Sequence, residues 1–296
     1  MTDLPRYLGY DRGVHLKGSA LWFDAQRPRE FCVHTGVLGK LPGRHHRAVA
    51  AEPLAKALKA GGLRTSLLPT PVERWVGIGG FQMYFSDSGL LASSPVCVRA
   101  RGKRILFLGC PGRGDFSLPP ADFIVATTPA LRHRGADLGR TVKALGLFIE
   151  QALADGVRAT VLVDCLDVGI ALERQLRNAG HAPQTLGLLA KLIPTPRRPQ
   201  LRLAPAGSRI SHAGRVARID SGLGAFRESA AAHGPSDMTL RLRWFAGIAE
   251  LRDVITSTGA AEIALIGAPA QSALAELPAT VHRFDQATQL NLPRGV

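Results

Sequence analysis

The sequence predicts an α/β protein, and three observations predict it. Short β-rich runs crowd the first half, the apolar period changes to three and four after residue 134, and an apolar strand-like run then sits between two helical stretches. The early runs are Ala20-Leu21-Trp22-Phe23, Glu30-Phe31-Cys32-Val33, Pro95-Val96-Cys97-Val98, Arg104-Ile105-Leu106-Phe107-Leu108 and Asp122-Phe123-Ile124-Val125. Each is rich in β-branched or aromatic residues, and most have Gly, Pro or Thr close by. One helix is expected among them. Glu52-Pro53 puts proline at an early helical position, Leu54, Ala57 and Leu58 share a face, and Gly61-Gly62 ends it. Residues 63–75 read as a loop.

In the second half, Leu138, Val142, Leu145, Ile149 and Leu153 mark an amphipathic helix closed by Gly156. Ala159-Thr160-Val161-Leu162-Val163-Asp164 follows as an apolar strand, and Ile170, Leu172, Leu176 and Ala179 mark a second helix stopped by Gly180. Three prolines within Pro194-Thr195-Pro196-Arg197-Arg198-Pro199 exclude regular helix, so residues 193–209 read as a linker, with a basic arm as the other reading. Ile248, Leu251, Val254 and Ile255 then line a helix ending at Gly259, and Ala261-Glu262-Ile263-Ala264-Leu265-Ile266 reads as a buried strand.

With 296 residues, 46% of them hydrophobic, the chain can bury a large core as one big domain or two joined ones. It has no membrane-length apolar run and no basic-then-apolar leader, so a soluble, cytoplasmic protein is expected. The net charge of +14 is carried mostly by scattered arginines. It fits attraction to a phosphate backbone, and equally an Arg-rich surface with no such role. The four cysteines, Cys32, Cys97, Cys110 and Cys165, form no C-x-x-C pair. Neither a disulfide framework nor a zinc site built from them is expected.

The order of several landmarks resembles the metallo-β-lactamase-fold family in its nucleic-acid branch, the β-CASP-like or ligase-associated DNA exonuclease type. They begin with Gly13-Val14-His15-Leu16, Leu21-Trp22-Phe23-Asp24-Ala25 and Phe31-Cys32-Val33-His34. In that family a strand like the last leads into the ligand loop H-x-H-x-D-H. Here the loop keeps only His34; Gly36, Leu38 and Gly39 stand at the other ligand places. The family's G-H-x-x-G-S-A stretch resembles Ser88-Gly89-Leu90-Leu91-Ala92-Ser93-Ser94, with Gly89 at the histidine. Its strand ending in T-G-D resembles the run from Arg104 to Gly109-Cys110, with Cys110 at the bridging aspartate. Ala126, Phe245 and Gly267 stand at three further ligand places, and Ala48-Val49-Ala50-Ala51-Glu52-Pro53 fits the next strand and helix start.

The resemblance implies a four-layer αββα metallo-β-lactamase-like sandwich with a short inserted α/β subdomain. Its parts would be residues 1–134 as the first half, 135–205 as the insertion and linker, and 206–296 as the second half. It also implies a lost centre. A two-zinc hydrolase needs imidazoles and carboxylates converging on each metal, and the side chains of Gly, Leu, Phe and Ala offer no lone pair. The framework runs persist where random decay would have damaged them, so the expectation is a non-catalytic nuclease-like subunit with no cofactor and no metal. His34 and Cys110 would be remnants of the metal site. Its partners would be another protein subunit (an active nuclease paralogue, a ligase or a helicase), with nucleic acid as a further partner and no membrane. Candidate nucleic-acid contacts are Arg44, His45, His46, Arg101, Lys103 and Arg113. A second hypothesis is an active metal-dependent hydrolase or nuclease with relocated ligands among His34, His45, His46, Cys110 and Asp115. A third is a protein-interaction module without nucleic acid. Ser211-His212 with Asp220 lacks the G-x-S-x-G elbow of a serine hydrolase, and Pro111-Gly112-Arg113-Gly114 lacks the lysine and helix of a P-loop.

Overall fold

The computed structural model describes residues 3–37, 43–63, 65–88, 90, 93–109, 117–127, 135–206, 208, 214–221, 236–267 and 274–284. A short helix α1 (Leu4–Tyr7) leads into a six-stranded sheet whose order follows the chain: β1 (Leu8–Tyr10), β2 (Val14–Leu16), β3 (Leu21–Phe23), β4 (Phe31–His34), β5 (Arg47–Ala51) and β6 (Ser66–Thr70). The first three strands are antiparallel, and β3 to β6 run parallel. Helix α2 (Glu52–Ala60) links β5 to β6 and buries Leu54, Ala55, Ala57 and Leu58. Strand β6 falls where a loop is expected. Only Leu67 and Thr70 of it are buried, and Pro69 is tolerated because β6 is an edge strand, so its apolar signal is thin.

A second sheet begins with β7 (Trp75–Ile78), β8 (Phe81–Phe85), β9 (Val96–Ala100), β10 (Lys103–Gly109) and β11 (Phe123–Thr127). The chain then leaves it through α3 (Leu138–Ala154), whose N-cap Asp137 accepts the amide of Arg140. A third, five-stranded sheet follows, all parallel. It comprises β12 (Ala159–Val163), then after α4 (Leu166–Asn178) β13 (Pro183–Thr185), after α5 (Leu188–Leu192) β14 (Leu201–Pro205), and finally β15 (Arg215–Asp220) and β16 (Met238–Arg241). Its spatial order is β13-β14-β12-β15-β16. Two expectations change here. The stretch 193–209 is not a bare linker, because Leu201 and Leu203 alternate into the core as β14, past the last of the clustered prolines. The third sheet also runs beyond residue 205, because β15 pairs with β12 and β16 pairs with β15.

Helix α6 (Ile248–Thr258) leads back to β17 (Glu262–Ile266) and β18 (Thr280–Phe284), which complete the second sheet in the order β18-β17-β11-β10-β9-β8-β7. The first two sheets share a core. Leu21, Phe23, Val33 and Val49 of one meet Val98, Ile105, Phe107 and Val125 of the other. Alternation then dictates the outer faces. Leu106, Leu108, Ile124 and Ile263 turn away from that core to meet Leu251 and Ile255 of α6. Ala48 and Ala50 turn the other way, to a core shared by α2 and the buried faces of α3, α4 and α5. The molecule is a mixed α/β protein with helices on both outer faces of its paired sheets. Among the described residues no helix is long and apolar enough to cross a membrane.

Candidate functional site

Strands β10, β11 and β17 run parallel, so their carboxyl ends converge at one edge of the second sheet. Across the seam lies the end of β3. A cleft of about 110 Å³ opens there, lined by Tyr10, Arg12, Gly13, Asp24, Gln26, Gly109, Thr127 and Ile266, with Phe23 and Phe107 also in its wall. Carboxyl ends of parallel strands are where open α/β sheets place their ligands.

The mouth of the cleft is held by unusual backbone. Arg12 has φ +48° and Asp24 has φ +46°, both left-handed conformations that side-chain-bearing residues seldom adopt. The Arg12 carbonyl accepts the Gln26 amide at 2.8 Å, and the Asp24 amide donates to the Val33 carbonyl at 3.0 Å, so backbone hydrogen bonds hold both bends. The Asp24 carboxyl accepts the Thr35 amide at 2.8 Å and also the Thr35 hydroxyl. Burial pushes Asp24 up to about 6, although these bonds and the Gly36 amide pull the other way. The Thr35 hydroxyl packs against Gly109, whose φ is +61°. A Cβ at Gly109 would collide with that hydroxyl in a backbone conformation that penalises L-residues. Gly109→Ala is therefore expected to cost at least about 1–2 kcal/mol in urea unfolding, and Thr35→Ala in the same chain should recover part of it.

The expected site residues do not converge on this cleft. Val33 enters the core between the sheets, so Cys32 and His34 stand on the opposite face of β4, and His34 is completely buried there. On that face the His34 ring lies 5.1 Å from the His45 ring. One donor atom each from Cys32, His34 and His45 lie within 4.8 Å of one another. The expectation that no cysteine has a histidine close enough for a zinc site is thus corrected. Cys32 and His34 are next-but-one on one strand face, a spacing that a search for C-x-x-C passes over. His45 is buried rather than at a surface where phosphate could reach it, whereas His46 is exposed and lies 3.3 Å from Glu30. Arg44 is exposed. Arg101 turns back to donate to the Lys17 carbonyl at 3.0 Å, and Lys103 pairs with Asp122 at 3.5 Å. Cys110, Arg113, Asp115 and His212 lie outside the described residues.

Sequence reasoning missed Asp24 as a cleft residue, since a lone aspartate after a strand carries no motif. It also missed the pairing of Arg99 with Trp75, whose ring lies 4.0 Å beneath the guanidinium and 5.6 Å from the Tyr84 ring. Register puts Arg99 opposite Gln82 and Gln82 opposite Gly77, two residues along from Trp75, so the guanidinium reaches the indole diagonally across β8.

No family model matches the chain, and no curated protein matches it. Among solved structures, a protein of unknown function from Enterococcus faecalis V583 is 9% identical over 92% of this chain and 83% of its own, with a TM-score of 0.54. That likeness is one of fold. The metallo-beta-lactamase fold protein YhfI from Bacillus subtilis is 7% identical over 93% of this chain and 88% of its own, with a TM-score of 0.40.

Proposed function

We propose that this chain is a metallo-β-lactamase-like αββα sandwich of the β-CASP-like type with an inserted α/β subdomain, and that it acts as a non-catalytic subunit in nucleic-acid processing, repair or defence. The observation that carries the reading is the chemistry of the cleft. Among the described residues its lining offers one carboxylate, Asp24, and no imidazole or thiolate, and both Asp24 oxygens already accept bonds from Thr35. A dinuclear hydrolytic centre needs several convergent imidazoles and carboxylates on each ion. The described residues do not fit it, and no catalytic step is derived through it.

The order of framework landmarks in the sequence supports kinship to the nuclease branch. The net charge of +14 supports contact with a polyanion. A surface pairing of an arginine with aromatic rings, as at Arg99, Trp75 and Tyr84, suits a single strand, whose bases stack on aromatic side chains while cations follow the phosphates.

The test is a cleavage and binding assay on the purified chain, with single- and double-stranded DNA and RNA. No cleavage is expected with zinc, manganese or magnesium. Binding should weaken steeply as salt rises, and Arg99→Glu should lower the salt slope by about one while weakening binding to all sequences alike. Chelator-sensitive cleavage by the purified chain would overturn the non-catalytic part of the reading. Absence of binding at low salt would remove the nucleic-acid part.

A further inference from the structure

The cluster of Cys32, His34 and His45 lies on the opposite face of β4 from the cleft. Two features of the chain build it. Strand alternation puts Cys32 and His34 side by side, and the segment just ahead of β5, where the Arg29 amide donates to His45 Nδ1, carries the His45 ring to 5.1 Å from that of His34. Relative exposures are 0% for Cys32, 0% for His34 and 5% for His45.

The hydrogen bonding there is incomplete. Among the described residues, both ring nitrogens of His34 and the Nε2 of His45 are buried without a hydrogen-bond partner. The Cys32 Sγ lies 3.7 Å from the Val33 carbonyl, at the far limit of a weak sulfur contact. Buried polar side-chain atoms in folded proteins nearly always find a partner, so three orphaned nitrogens around one thiol point to something that belongs between them. Neutral imidazole is the ligating form of histidine.

We propose that Cys32, His34 and His45 hold one soft or borderline transition ion, zinc in the first instance, at a buried three-ligand site separate from the cleft, with the fourth position left to water. One thiolate and two imidazoles suit zinc or copper(I), and they do not suit the hard cations that seek oxygen. Donors around a tetrahedral zinc sit roughly 3.3–3.6 Å apart, from Zn–S and Zn–N bonds of about 2.3 and 2.0 Å. The three side chains therefore close inward from their present separations of up to 4.8 Å. Binding releases the Cys32 proton to solvent as the thiolate forms. It also has a local consequence at His45. Its Nδ1 now accepts the Arg29 amide at 3.2 Å, which leaves the ring proton on Nε2. Ligation through Nε2 moves that proton to Nδ1 and opens the contact with Arg29.

The experiment uses the full chain, purified with chelator and shown to be folded by circular dichroism, then titrated with Co²⁺ as the probe. One equivalent is expected to bind, with the near-ultraviolet thiolate-to-cobalt band, and Zn²⁺ should displace it. Cys32→Ser should abolish that band, and His45→Gln, at the rim of the cluster, should weaken binding at least tenfold. Zn²⁺ should raise the Tm of the unmodified chain by several degrees and leave that of Cys32→Ser unmoved. A parallel titration with Cu⁺ separates the two ion classes, and a clear preference for Cu⁺ would overturn zinc as the resident ion. A folded, unmodified chain that takes up none of these ions, its orphaned nitrogens being served by water, would overturn the site. So would a band that survives Cys32→Ser. Neither result bears on cleavage, because the cluster does not line the cleft.

Discussion

Phe23→Ala is expected to lower the stability of the chain by about 3–5 kcal/mol, the range for removing a large aromatic side chain from a packed core. Phe23 ends β3 at 1% exposure, with its ring stacked on Phe107 at a centroid distance of 3.5 Å. The two rings come from different sheets, so the pair joins the layers where the cleft begins. Removing one leaves the other facing a void that the strands, paired on both sides, cannot collapse to fill. Phe107→Ala should cost a similar amount. The double substitution should cost less than the sum, because the second deletion removes a ring that has already lost its partner. Phe23→Leu should cost only about 1–1.5 kcal/mol, as it keeps most of the volume. Urea unfolding of the four chains measures all of this. A loss below about 1 kcal/mol for Phe23→Ala, with an unchanged m-value, would show that the two sheets do not close on this pair.

The elements legible in the sequence are those whose side-chain pattern is set by burial on a single face or on both. Helix α3 announces itself through Leu138, Val142, Leu145 and Ile149, and β12 and β17 through unbroken apolar runs that match strands covered on both faces. Strand β6 was hidden because an edge position asks for few apolar residues and tolerates Pro69. Strand β14 was hidden because the prolines before it dominate the local reading, although Leu201 and Leu203 carry the period-two signal. The extent of the third sheet was hidden for another reason. Pairing between β12 and β15 is a long-range choice that no window of sequence contains.

The sites follow the same logic. The cleft gathers Gly109, Thr127 and Ile266 from the ends of three strands and Asp24 from just past β3, and only topology brings them together. The expectation of glycine at ligand places, Gly36, Gly89 and Gly267, comes from a resemblance to a family's spacing. The burial of His45 beside an exposed His46 has no such source. That difference is decided just ahead of β5, where the Arg29 amide holds His45 inward and His46 faces Glu30 at the surface.

Asp24→Asn is expected to stabilise the chain at neutral pH by up to about 3 kcal/mol, an effect that shrinks to almost nothing near pH 4. Burial raises Asp24 from its ordinary 3.8 to about 6. The folded chain therefore holds this proton more tightly than the unfolded chain does. Between pH 4 and pH 6 the folded state binds more protons, so stability falls as pH rises through that window and stays low above it. A displacement of this size corresponds to about 3 kcal/mol at neutral pH. The amide of asparagine carries no charge to desolvate. Its oxygen can still accept the Thr35 amide, its nitrogen can donate to the Thr35 hydroxyl, and asparagine tolerates the left-handed backbone at φ +46° as well as aspartate does. Denaturant unfolding of both chains from pH 4 to pH 8 reads the result directly. A gap that widens toward low pH would reverse the sign and show that the Thr35 and Gly36 bonds outweigh burial. If the gap opens upward as expected, the chain carries a standing cost at one carboxyl in the mouth of its cleft.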